Sequence, residues 1–275
     1  MKTSLENSDK VQRNSIPLLA VIFDVDGTLA DNEQDGHRVA FNRAFETFGL
    51  DWHWSPEVYG ELLAAVAGGR ERLRYYAQSH LADIPDGVES ETWISRLHQR
   101  KTAIYSEISE TGAITLRPGI ARLLQELRAA KIRLAIATTS NPSSVHSLIS
   151  AHFPNETASM FEVIGAGDQV ELKKPAPDIY QWVLQQMGLP PENCLAIEDS
   201  SIGLRAARSA GLPTIISVSA YTNDDDFSGA LSVVSDLGEP DAPSRSISGL
   251  PLKSACVDLH QLRAWHEEFS LRTIR

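Results

Sequence analysis

Cysteine is nearly absent. Cys194 and Cys256 are the only two in 275 residues, and they form no C-x-x-C pair. That excludes a disulfide framework and a cysteine-rich zinc site. Long apolar runs are missing too, and none approaches the ~18–20 residues of a membrane span. Positive charge is scarce, with 25 Lys and Arg against 36 Asp and Glu and a formal net charge of −11. Such a balance argues against nucleic acid and anionic membranes as partners, since both call for a net basic surface. An anionic substrate would need a local exception built from a few cations or a bound metal. Met1–Pro17 has neither the apolar core of a signal peptide nor the Arg-rich, acid-poor character of a transit peptide, so a cytoplasmic protein is expected. Residues 1–16 read as a disordered tail. Core-forming material is not lacking: 42% of residues are hydrophobic and 22% charged, ordinary for a soluble globule. The length suits one large domain, or one domain with an insertion.

Leu18–Phe23 is apolar without alternation, as in a strand buried on both faces of a parallel sheet. Similar runs recur at Arg133–Ala137, Phe161–Ile164, Cys194–Ile197 and Pro213–Val218. Between them lie helical faces such as Leu123, Leu124 and Leu127, or Ile179, Val183 and Met187. This alternation predicts an α/β fold with a doubly wound, parallel, Rossmann-like sheet. Gly188 and Gly211 suit helix C-termini, and Pro177 a first helical position. From Asn32 to Thr115 only helical spacing appears, as in Phe41, Phe45 and Phe48, or Trp93, Leu97, Ile104 and Ile108. The expected organisation is a discontinuous core, residues 17–31 and 115–275, with a small α-helical cap at 32–114. Rooted at the carboxyl end of the first strand, such a cap overhangs the ligand edge of the sheet and can exclude water. Trp52 and Trp54 read as cap core. Ser235–Ser254, rich in Gly, Pro and Ser, reads as an irregular excursion. Leu259, Leu262, His266 and Phe269 then share the face of a last helix that docks on the core.

The first strand runs into Asp24-Val25-Asp26-Gly27-Thr28, and a later one into Glu198-Asp199. Paired carboxylates at buried strand ends repel one another, and burying them unpaired costs several kcal/mol. A divalent cation with hard oxygen ligands, such as Mg²⁺, resolves this. Thr138-Thr139-Ser140-Asn141 follows another strand and offers hydroxyls and a helix N-terminus, a phosphate cradle. Lys173-Lys174-Pro175 adds ammonium groups, with Pro175 holding Lys174 extended. A metal set and a phosphate set thus share one sheet edge.

The ordered set resembles the four motifs of the haloacid dehalogenase superfamily. Asp24 to Thr28 is similar to its D-x-D-G-T nucleophile motif, Thr138 to its phosphate-binding position, Lys174 to its basic position and Glu198-Asp199 to its acidic metal motif. The helical segment is similar to the cap of phosphoglycolate phosphatase and β-phosphoglucomutase relatives. The resemblance extends to the CbbY-type phosphatases through Glu33, His37-Arg38, Gly68-Gly69-Arg70-Glu71-Arg72, Arg117-Pro118-Gly119, Lys173 to Asp178 and Ala220-Tyr221-Thr222. It implies a Mg²⁺-dependent phosphatase acting through an aspartyl-phosphate on xylulose-1,5-bisphosphate, an inhibitory by-product of Rubisco, so that the chain would serve the Calvin cycle.

By the same resemblance Asp24 is the nucleophile, Asp26 the acid and base, and Thr138 and Lys174 hold the phosphoryl group. Asp24, Asp26 (through its carbonyl), Glu198 and Asp199 surround the metal. Thr139 and Ser140 join Thr138 and Lys174 on the substrate phosphate. Arg70, Arg72 and Arg117, with backbone access at Gly68 and Gly69, are candidates for the second phosphate, and Glu33 for sugar hydroxyls. Relatives with this cap are commonly monomers. His37 reads as a partly exposed helix histidine, with gating of Asp26 or contact with substrate as the other reading, and Asn223 to Asp226 as a solvated turn capping a short helix. A phosphomutase is the alternative. Mutase relatives carry a Thr soon after the first motif and a His four residues on. Here Asn32 takes the Thr position and His37 follows it by five, which weighs against that reading. The presence of Asp24, Asp26, Lys174 and Asp199 weighs against a noncatalytic regulator.

Overall fold

The computed structural model describes residues 16–80, 89–157 and 159–273. The N-terminal tail expected at 1–16 lies outside them except for its last residue. In chain order, β1 (Ala20–Phe23) leads into a π-helical turn (Glu33–Arg38). Helices α1 (Val39–Thr47), α2 (Pro56–Ala65), α3 (Gly69–Gln78) and α4 (Ser90–Glu110) follow, and no strand intervenes among the described residues. The chain then returns through α5 (Ile120–Ala129), β2 (Arg133–Ala137), α6 (Pro142–His152), β3 (Val163–Gly165), α7 (Asp178–Met187) and β4 (Cys194–Glu198). It closes with α8 (Ser201–Ser209), β5 (Thr214–Ser217), β6 (Ser232–Val234), β7 (Ser246–Gly249) and α9 (Leu259–Thr273).

The strands form one sheet in the order β3-β2-β1-β4-β5-β6-β7. All pairs are parallel except β6 with β7. The winding runs outward from β1 in both directions, which is the doubly wound α/β arrangement. Alternate β1 residues feed opposite cores. Val21 and Phe23 pack with Leu123, Leu124 and Leu127 of α5 and with Leu262 and Trp265 of α9. Ala20 and Ile22 pack with Ile179, Tyr180 and Val183 of α7 and Ala206 and Ala207 of α8. Both faces are dry, which explains why the strands read as unbroken apolar runs.

Two sequence expectations are corrected. Ser235–Ser254 is not irregular throughout, because Ser246–Gly249 adds an antiparallel edge strand to β6. All four residues are exposed and two are serine, so no apolar pattern marks it. The strand expected at Phe161 begins two residues later and ends at Gly165, an ordinary displacement of an element boundary.

The helices between β1 and α5 build their own aromatic centre. Phe41 lies 4.6 Å from Trp54, Phe45 5.4 Å from Trp52 and Trp54 5.9 Å from Tyr59, centroid to centroid. Offset and edge-on rings of this kind add stability beyond the area they bury. Trp52 and Trp54 are buried here, as expected of core residues.

Arg117 is not a substrate ligand. Its side chain is buried and its guanidinium donates to the carbonyls of Gly27, Ser217 (2.8 Å), Val218 (2.5 Å) and Ser235 (3.2 Å). The planar fork ties the turn after β1 to the ends of β5 and β6, a task a lysine cannot copy. Replacing Arg117 with Ala leaves several buried carbonyls unpartnered and should cost roughly 2–4 kcal/mol. The check is a lowered urea midpoint at unchanged slope, with Arg117→Lys recovering only part of the loss.

Candidate active site

The sheet register brings the acids together. Phe23 lies beside Ile136 of β2 and Ile197 of β4. The next step along the strands sets Asp24 next to Glu198, and the Asp24 amide donates to the Ile197 carbonyl at 3.0 Å. Asp199 follows directly. Asp24, Glu198 and Asp199 are buried, and one carboxylate oxygen of each lies within 4.8 Å of the others. Gly27 makes room for this. It turns with φ +77°, and a Cβ there would overlap the Asp199 carboxylate.

Lys174 reaches this cluster from the loop between β3 and α7, not from a strand end. Its Nζ donates to Asp24 Oδ1 and Glu198 Oε1, both at 2.6 Å. Tyr180 donates to the same Glu198 oxygen at 2.5 Å. Burial raises the Asp24 carboxyl to about 8, opposed by Lys174 and reinforced by Glu198 and Asp26. Asp199 is raised as well, by burial and by the charges of Asp24 and Glu198. Burial works against the Lys174 ammonium, yet the Asp24 and Glu198 charges outweigh it and push its pKa up. One ammonium cannot neutralise three buried carboxylates, and the raised Asp24 and Asp199 carboxyls show that the edge resists ionising all three without a further cation. A set of hard oxygen donors in that state fits Mg²⁺.

Asp26 faces a different neighbourhood. Its Oδ1 accepts from Asn32 Nδ2 at 2.6 Å and from His37 Nε2 at 2.8 Å, and its Oδ2 accepts from the Ser140 hydroxyl. Burial would raise this carboxyl, but the His37 ring and the three hydrogen bonds outweigh it and hold the pKa well below the carboxylate range. Behind His37, Lys101 Nζ donates to Nδ1 at 2.8 Å. An ammonium can only donate, so Nε2 carries the ring proton and gives it to Asp26. Burial lowers the Lys101 pKa to about 8.

His37 is therefore not a partly exposed surface residue. It is 3% exposed and stacks on Tyr105 at 4.0 Å. The π-helical turn makes this possible, as the His37 amide donates to the Asn32 carbonyl five residues back, at 2.7 Å. The extra residue between Asn32 and His37 is absorbed there, and the imidazole still reaches Asp26. The five-residue offset thus loses its weight against a mutase.

Thr138 is buried after β2, its hydroxyl accepting from the Ser140 amide at 3.1 Å. Thr139 lines the cleft with Asp24, Asp26, Glu33, Arg72 and Lys174. Gly68 and Gly69 border an adjoining polar chamber with His98 and Lys101. Tyr59 ties the roof together: its hydroxyl donates to Glu33 Oε2 at 2.5 Å and accepts from Arg72 at 3.2 Å. Arg72 is buried, and its Nε has no hydrogen-bond partner. Arg70 instead turns toward Asp168 on the loop after β3, at 3.5 Å. In the acidic turn, Asp225 accepts from the Ser201 amide at the start of α8 and Asp226 from the Ser228 amide.

Asn32, Tyr59, Lys101 and Tyr180 were not picked out as site residues from the sequence. For Lys101 a signal existed: it stands between Leu97 and Ile104 on the apolar stripe of α4, where a lysine is out of place.

Known proteins resemble this chain over most of its length. Residues 18–211 match haloacid dehalogenase-like hydrolases. The chain is 45% identical over 248 residues to the plasmid-encoded CbbY of Cupriavidus necator, covering 90% of this chain and 96% of that protein. It is 47% identical over 234 residues to CbbY of Rhodobacter capsulatus, covering 85% and 99%. A crystal structure of a substituted CbbY from Rhodobacter sphaeroides, in complex with xylulose-1,5-bisphosphate, is similar with a TM-score of 0.73 at 42% identity, covering 80% of this chain and 94% of that one. A match this long, shared with relatives similar over most of their length, means that the chain belongs to the haloacid dehalogenase-like hydrolases.

Proposed function

We propose that this phosphatase is Mg²⁺-dependent and removes one phosphate from a sugar bisphosphate, xylulose-1,5-bisphosphate, through an aspartyl-phosphate. The observation that carries the reading is the division of the cleft. Buried carboxylates bridged by Lys174 form its floor, and Arg72 with an unpartnered Nε lies in its roof. A substrate with a phosphate at each end suits both. Its likeness to the CbbY bound to that bisphosphate supports the choice of sugar.

In this reading an Asp24 oxygen attacks phosphorus and the bond to the sugar oxygen breaks. Asp26 gives that oxygen a proton, which requires the dianionic substrate to raise its carboxyl from the low pKa it has in the free cleft. Water then attacks the phosphorus of the aspartyl-phosphate, Asp26 takes the proton, and the bond to Asp24 breaks to release orthophosphate. Lys174 offsets the charge that repels a phosphate from Asp24. The Thr138, Thr139 and Ser140 segment holds phosphoryl oxygens at the N-terminal end of α6. Mg²⁺ would be held by Asp24, Asp199 and the Asp26 carbonyl, and would neutralise the phosphoryl charge. Glu198 has an oxygen engaged by Lys174 and Tyr180, so it would act through water. Glu33, held by Tyr59, is placed for sugar hydroxyls. The helices over the edge act as a cap that excludes bulk water.

A phosphomutase is the second reading, kept open by the contact of His37 with Asp26. Free phosphate released from a bisphosphate supports hydrolysis, whereas isomer interconversion without free phosphate overturns it.

Asp24→Asn should lower turnover on the order of 10⁴-fold or more, as loss of a nucleophile does. Phosphate release from xylulose-1,5-bisphosphate measures this, and retained activity defeats the assignment. Chelation should abolish release, and added Mg²⁺ should restore it. Arg72→Leu should raise KM for the bisphosphate roughly 10- to 100-fold, the worth of a charge-assisted hydrogen bond, with a much smaller effect on a monophosphate ester.

A further inference from the structure

Helix α2 carries a glycine at its middle, Gly60. Glycine weakens a helix interior relative to alanine. Its backbone is not left-handed, so conformation does not demand it. A neighbour does: a Cβ at this position would stand 3.1 and 3.3 Å from Cδ1 and Cε1 of Tyr221. That ring comes from the other side of the cleft, on the segment after β5. It also meets the Tyr59 ring edge-on, at 5.8 Å and 78°.

Both ends of this contact lead to the site. Tyr59 holds Glu33 and Arg72. Tyr221 lies two residues beyond Ser219, which lines the cleft beside Asp199. The turn between them is closed by the Thr222 hydroxyl, which accepts from the Ser219 amide at 2.9 Å. The Tyr221 hydroxyl is buried with no hydrogen-bond partner, so the ring does the holding.

We propose that Tyr221 is a positioning residue: its ring, seated on Gly60 and Tyr59, sets α2 and the Glu33–Tyr59–Arg72 cluster over the acidic edge, and so selects substrates with a distal phosphate. The selection rests on the bisphosphate reading above, while the seating contact does not. No part of it needs Tyr221 to touch substrate. Gly60 is the complementary half, kept small so that the ring can approach.

A double-mutant cycle tests it. Gly60→Ala should raise KM for xylulose-1,5-bisphosphate about tenfold with kcat within about twofold, a size typical of coupled contacts. Its hydrolysis of p-nitrophenyl phosphate, which has no distal group, should stay unchanged. Tyr221→Ala should raise the bisphosphate KM similarly, and adding Gly60→Ala to it should do nothing more. Tyr221→Phe should behave as the parent, because only an unpaired hydroxyl is lost. Hydrogen exchange of the α2 amides supplies a readout free of any substrate. Each single variant should speed it and the pair should not be additive, although Gly→Ala alone ordinarily strengthens a helix.

A Gly60→Ala enzyme with unchanged KM and exchange overturns the proposal. So does a Gly60→Ala effect that persists without the Tyr221 ring, or a Tyr221→Phe as damaging as Tyr221→Ala. If the parent releases no phosphate from the bisphosphate, the substrate reading fails, and the exchange cycle still decides the seating contact.

Discussion

The ammonium of Lys174, shared between Asp24 and Glu198 inside the protein, is the interaction on which the rest depends. Three carboxylates cannot be packed at one buried sheet edge without compensation. The parallel register forces two of them side by side, the third follows Glu198 in the chain, and the turn at Gly27 leaves room for it. Lys174 offsets part of that charge, and the remainder is what a cation would neutralise in the proposed reaction. Everything nearby serves this arrangement. The loop from β3 delivers Lys174, Tyr180 orients Glu198, and Arg117 pins the backbone from which Asp26 and Gly27 project.

The opposite wall obeys another logic. The helices over the edge are held by aromatic rings, and two chains of polar groups among them reach the cleft. Glu33, Tyr59 and Arg72 form a short buried chain of hydrogen bonds, and Lys101, His37 and Asp26 form a second. Asp26 is where the two walls meet. Its partners come from the π-helical turn and from the Ser140 segment alike, so its orientation reports on both at once.

The sequence disclosed most of the sheet because β1, β2, β4 and β5 are buried on both faces and read as continuous apolar runs. It disclosed the acidic edge for the same reason, since charges that interrupt such runs stand out. The edge strand β7 stayed hidden, with exposed serines and no core face. Arg117 misled because an arginine that satisfies carbonyls has the same letter as one that binds phosphate, and only its partners tell them apart. Arg70 and Arg72, two residues apart on α3, diverge for the same reason: one faces Asp168, the other the buried Tyr59 hydroxyl. His37 and Lys101 needed contacts between distant helices, which helical spacing alone does not carry.

The widened turn at Glu33–Arg38 has a consequence for how chains of this kind are compared. One extra residue enters the helix without shifting the imidazole off its carboxylate, because the backbone takes up the slack in a single wider loop of hydrogen bonding. Counting letters between two functional groups then misjudges their separation. In this chain a wider turn keeps both groups on the same acid, so the number of residues between them does not by itself decide the chemistry.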